Sequence, residues 1–186
     1  MVAEVLILKA HVNIFTFNMN GGGSTSTDHK WLHINEIMRD KKLGIGAIQE
    51  MHLTEEKQEE LEKRFPRLKL INSWDQERPN LKGVVICINR QLMRANETTS
   101  MDLIPERAII TSIPWTHQGD TLNVLGIYAP NVAKEQKDFW EDLDKKLEKI
   151  KDKLRPNVML GDFNTTENKL DRLLPRNDNR VVVEQL

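Results

Sequence analysis

The stretch VMLGDFN, Val158 to Asn164, is where the chain's architecture reads most directly. Three apolar residues ask for burial. A glycine, a carboxylate, an aromatic ring and an amide follow. Side chains two apart on a strand share a face, so Asp162 and Asn164 are predicted to point together. The same pattern recurs: FTFNMNG ends in Asn18 and Asn20, GAIQE in Gln49 and Glu50, and GIYAPN in Tyr128 and Asn131. Asn, Asp and Gly favour turns, and turn chemistry explains any one of these ends alone. Glu50 is no turn former, and four polar strand ends together ask for a common cause.

Outward from that stretch, strand character covers about residues 5–17, followed by a small polar loop over 21–28. Asp28 is a candidate cap for a helix whose stripe, Trp31, Ile34, Ile37 and Met38, continues to about Lys42. GIGAIQE, 44–50, reads as a short buried strand. Thr54 opens a second helix with Leu61 and Phe65 facing inward and Pro66 as its stop. Strand-like runs follow in LKLINS, GVVICIN, RAIITSIPW and TLNVLGIYAPN. A charged helix over about 134–154 then carries Phe139, Trp140, Leu143, Leu147 and Ile150 on one stripe, and VMLGDFN is the next strand. After Pro175, NRVVVEQL could begin a further helix. Successive strands between Lys69 and Tyr128 predict antiparallel pairing, and the helices must cover a sheet face, which gives a layered α/β arrangement.

Composition narrows the classes. A chain of 186 residues suffices for one domain, 1–186, with a real core. Hydrophobic residues at 39% and charged residues at 30% fit a soluble globular protein. The net charge of −1 argues against a bulk-basic nucleic-acid binder and leaves a local basic surface open. The single cysteine, Cys87, excludes an internal disulfide and favours a reducing, intracellular compartment, which includes the nucleus. Glu4, Lys9 and His11 interrupt the apolar N-terminus, so no signal peptide is expected. No run approaches the roughly 18 apolar residues of a membrane helix, and no membrane partner is expected.

If neighbouring strands bring the polar ends together, oxygen ligands converge without His or Cys. Such a set suits Mg²⁺ or Mn²⁺ rather than zinc. The chemistry that follows is phosphate-ester hydrolysis, in which the metal offsets developing charge and a second carboxylate orients or deprotonates water.

FNMNG, IQEMHL, KGVVICIN, GIYAPN and GDFN stand in the order found in the endonuclease/exonuclease/phosphatase superfamily, which the chain resembles over nearly its whole length. HKWLHINEIMRDKKLGIGAIQEMHLTEE and MLGDFNTTENKLDRLLPRND resemble in particular the apurinic-endonuclease-like domain of LINE-type retrotransposons, those of fungi especially. The resemblance implies an α/β sandwich of two packed, mixed, mostly antiparallel sheets flanked by helices. It also implies a Mg²⁺-dependent endonuclease that nicks DNA. Glu50 resembles the metal-binding glutamate and Asn18 the asparagine beside it, with Asn20 near the metal. Tyr128 resembles the tyrosine at the scissile phosphate and Asn131 a substrate-side asparagine. Asp162 resembles the aspartate that activates water, and Asn164 its phosphate-binding partner. Met51 replaces the usual threonine after the glutamate, with little effect expected.

Relatives close with an aspartate-bearing strand and a Ser-Asp-His motif, neither of which occurs before Leu186. The resemblance therefore implies a domain incomplete at its C-terminal end, weak or inactive as it stands. A non-catalytic remnant, or a phosphatase of the same superfamily acting on another phosphoester, remains open. His29 and His33 sit at i,i+4 and read as exposed helix residues, since no third ligand is near; His52 is at most a neighbour of the site. Trp140 reads as core and Trp74 as a candidate stacking residue. Arg78, Lys82 and Arg107 are candidates for phosphate contacts.

Overall fold

GVVICIN is buried at every position, so a strand made of it must be covered on both faces. A computed structural model of the chain describes residues 11–20, 28–51, 53–73, 83–115 and 119–165, and shows how that cover is built. Strand Gly83–Asn89 (β4) lies inside a four-stranded sheet with Asn13–Asn18 (β1), Leu43–Met51 (β2) and Leu68–Ser73 (β3), in the order β1-β2-β4-β3. A second sheet orders Thr99–Ile104 (β5), Ala108–Pro114 (β6), Thr121–Tyr128 (β7) and Val158–Asp162 (β8) in sequence. Each sheet is mixed: β1–β2 and β7–β8 are parallel, and the other pairs are antiparallel.

The two sheets pack face to face over Ile45, Ala47, Val84, Ile86, Ile109 and Val124. Helices Asp28–Asp40 (α1) and Glu55–Arg64 (α2) cover the first sheet's outer face through Trp31, Ile34, Met38 and Leu61. Helix Ala133–Lys149 (α3) covers the second through Phe139, Trp140 and Leu143. The layers run α/β/β/α, as the resemblance implies.

Local chemistry accounts for most boundaries. Thr54 caps α2 by accepting from the Lys57 N–H, and the chain leaves the helix at Phe65, just before Pro66. α3 ends at Lys149, five residues before the expected stop, because Ile150 turns to an extended conformation while its side chain still packs on the α3 core. A short 3-10 turn, Asp152–Leu154, follows. β5 carries little strand signal in the sequence: TSMDLI is an edge strand with one buried residue, Leu103, too little apolar content for alternation to register. The segment after Pro175 lies outside the described residues.

Asp28 opens α1, and its carboxylate reaches Lys57 at 3.1 Å and Arg64 at 2.5 Å on α2. The Lys57 ammonium beside it holds the Asp28 carboxyl below its usual range against the opposing effect of burial, helped by Arg64. A carboxyl depressed in the folded state contributes stability that is complete above its unfolded value near pH ~4 and vanishes as pH falls through the folded value. The urea midpoint of the wild-type chain should therefore fall more steeply below about pH 4 than that of Asp28→Asn. Superimposable acid limbs would remove this helix–helix tie from the account.

Candidate active site

β2 decides where the site forms. Ile45 and Ala47 face the second sheet, and Ile48 faces the helices. Strict alternation would send Glu50 to the helix side. The pairing slips instead: Gln49 sits opposite Val84 and Met51 opposite Gly83, leaving Glu50 as an extra residue with φ +59°. Such a bulge re-aims side chains. Met51 enters the helix-side core, and Glu50 turns into the gap between the sheets. There the Tyr128 hydroxyl donates to Glu50 Oε1 at 3.4 Å. A left-handed glutamate costs about 1–2 kcal/mol, which the surrounding pairing sustains.

β1 and β8, one from each sheet, end in matching turns. Asn18 Oδ1 accepts from the Asn20 N–H at 2.9 Å, and Asp162 Oδ1 accepts from the Asn164 N–H at 3.1 Å. Asn20 and Asn164 both take positive φ, +46° and +52°, a conformation asparagine tolerates. The middle residues point outward into the flanking layers. Met19 packs among the α1–α2 core, and Phe163 stacks on Trp140 with ring centroids 6.0 Å apart. With its carbonyl turned to Asn20, the Asn18 amide presents Nδ2 to both carboxylates: 3.1 Å to Glu50 Oε1 and 3.0 Å to Asp162 Oδ2.

Asn18, Glu50, Tyr128 and Asp162 thus converge at one end of the sandwich. Asn131 and Asn164 join Asn18 and Asp162 in lining a cavity of about 640 Å³, together with Thr16 and Gln49, which hydrogen-bond to each other. Asn164 also donates from Nδ2 to Ala129 O at 2.7 Å. Asn20 differs from the expectation. β1 stops at Asn18, so alternation no longer applies two residues on; Asn20 is exposed and meets the site through its backbone. Arg107 lays its guanidinium 4.8 Å over the Tyr128 ring. His29 and His33 are exposed on α1. His52, Trp74, Arg78 and Lys82 lie outside the described residues.

Two further residues, neither of them at a strand end, hold these turns. Lys30 of α1 donates from Nζ to Met19 O at 2.6 Å and Asn20 O at 3.3 Å. Gln136 of α3 donates from Nε2 to Pro130 O at 3.0 Å and Asn164 O at 2.9 Å. Gln136 left a signal: it stands four residues before Trp140, on the apolar stripe, where a polar residue needs a partner.

The two carboxylates are hard oxygen ligands, which fits a hard divalent cation; the Asn18 amide, whose N–H now faces both, would turn its oxygen toward such an ion. Among the described residues no three His, Cys, Asp or Glu side chains gather, so water and substrate oxygens would complete a shell around such an ion.

The four-layer sandwich brings one carboxylate from each sheet to a common rim. The chain belongs to the endonuclease/exonuclease/phosphatase family, whose family model matches residues 15–184, a superfamily of metal-dependent phosphoesterases that includes AP endonucleases and phosphatases. No curated protein matches the chain in sequence. Among solved structures it is similar to an AP endonuclease from Archaeoglobus fulgidus, with TM-score 0.69 and 19% identity, over 94% of this chain and 68% of that one. An AP endonuclease from Leishmania major gives TM-score 0.66 at 11% identity, over 91% of this chain and 62% of that one. A mannosyl-6-phosphatase from Bacteroides thetaiotaomicron gives 0.59 at 12%, over 83% and 66%. These likenesses establish the fold, and the chain spans about two thirds of each relative's length. Among the described residues no helix is long and apolar enough to cross a membrane.

Proposed function

We propose that the chain is a metal-dependent phosphodiesterase acting on DNA, a nicking endonuclease of the LINE-type retrotransposon kind, working inside the cell where DNA is reached. The observation that carries this reading is the pair of carboxylates, Glu50 and Asp162, contributed by different sheets and held within 3.1 Å of one amide nitrogen. DNA as substrate is supported by the family's AP endonucleases. The retrotransposon setting is supported by the sequence resemblance over residues 29–56 and 161–177.

Glu50 would hold Mg²⁺ or Mn²⁺ in the gap between the sheets, with Asn18 beside it. A cation held there would offset the negative charge that grows on a phosphoryl oxygen. Asp162, which lines the cavity and is fixed through Oδ1 by the Asn164 N–H and through Oδ2 by the Asn18 amide, would orient the attacking water and take its proton. Tyr128 sets the Glu50 rotamer through its hydroxyl and faces the scissile phosphate. Asn164 has one amide N–H engaged by Ala129 O and a second left for a phosphate oxygen. Asn131, on the cavity wall, is the substrate-side contact. Asn20 acts through its N–H, which orients the Asn18 amide.

The test is nicking of supercoiled plasmid with Mg²⁺ or Mn²⁺, beside Glu50→Ala and Asp162→Asn. Metal-dependent nicking that falls about 100-fold or more in each variant is expected. Nicking that survives Glu50→Ala unchanged would sink the assignment. An intact plasmid with metal-dependent release of phosphate from a sugar phosphate would move the substrate class to phosphomonoesters.

A further inference from the structure

We infer that Gln136 is a positioning residue that fixes the Asp162 turn, and with it the orientation of Asp162 toward the reacting water. This rests on the phosphodiesterase reading above. Gln136 is 6% exposed, and its one amide nitrogen donates to two carbonyls that no secondary-structure ladder uses, Pro130 O and Asn164 O. Pro130 precedes Asn131. Asn164 ends the turn whose N–H holds Asp162 Oδ1. One side chain therefore couples the two loops on that wall of the cavity. Trp140, one helical turn further along α3, stacks on Phe163 inside the same turn, with the rings 7° from parallel. The turn between Asp162 and Asn164 is thus gripped from behind by a polar and an aromatic contact of a single helix face.

The matching turn on β1 provides an internal control, because it depends on Lys30 of α1 and makes no hydrogen bond to Gln136. A methionine at 136 keeps the length of the side chain and removes its donor. A glutamate also keeps the length but turns an acceptor toward two carbonyls.

The experiment measures amide hydrogen exchange at Asn164 and Asn20, together with nicking kinetics, in wild type, Gln136→Met and Gln136→Glu. In both variants we expect exchange at the Asn164 N–H to quicken by about tenfold, with exchange at the Asn20 N–H unchanged. The turnover number should fall by a similar factor, while the Mn²⁺ affinity governed by Glu50 holds. Unchanged exchange at Asn164 overturns the inference. So does an equal rise at Asn20, because Gln136 would then support the whole domain rather than one turn. If Asn164 alone responds but the wild-type chain cuts no phosphodiester, the positioning role stands and the phosphodiesterase reading fails.

Discussion

Gly161→Ala should unfold the end of β8, lowering stability by on the order of 3 kcal/mol and abolishing metal-dependent activity. A Cβ placed on Gly161 would lie 1.9 Å from Ile127 O and 2.7 Å from Ile127 C. These are backbone atoms of the neighbouring strand, so no rotamer change relieves the contact. The φ of +155° adds strain for any L side chain. Escape requires β8 to move away from β7, and the Ile127–Gly161 and Tyr128–Asp162 pairings are the ones that deliver Asp162 to the site. The bond from the Ala129 N–H to Asp162 O, 2.8 Å long, would go with them. Urea denaturation checks this. A Gly161→Ala midpoint equivalent to wild type within about 0.5 kcal/mol would contradict the close approach of the two strands.

The second large effect separates stability from activity at Glu50. Removing the carboxylate by either Glu50→Ala or Glu50→Gly should reduce phosphodiester cleavage by about 100-fold or more. Stability should split the two variants. Alanine keeps the left-handed strain at φ +59°, whereas glycine relieves it, so Glu50→Gly should be the more stable by about 1 kcal/mol. At an ordinary strand position the order is reversed, because glycine there loses more backbone entropy on folding. Equal midpoints, or alanine ahead, would argue that the bulge relaxes and that Glu50 does not depend on it for its direction.

The layered fold was legible because its signals are local. The stripe Trp31, Ile34 and Met38, the Thr54 cap and the Pro66 stop each follow from neighbours within a few residues, and the structure keeps them. The convergence of Asn18, Glu50, Tyr128 and Asp162 was legible as a set of polar strand ends. The way they converge was not. The slip at Glu50 is defined by Gly83 on β4, more than thirty residues away in sequence. Alternation alone would have turned Glu50 toward the helices. It also placed Asn20 beside Asn18, where a turn had already ended the strand. Lys30 and Gln136 act on backbone carbonyls, so the place of Gln136 on an apolar stripe shows that it needs a partner but not which one.

The Asn18 amide is a dipole set across the boundary between two sheets, its positive end aimed at a negative charge on each. That amide offsets the repulsion between the two carboxylates across the rim. A divalent ion held by Glu50 at this rim would attract the carboxylate of the opposite sheet as well and act as a clasp on the sandwich. Resistance to heat, measured with no substrate present, should then rise with Mg²⁺ in the wild-type chain and lose that response in Glu50→Ala. The opening of the sandwich would become a reporter of occupancy at its rim.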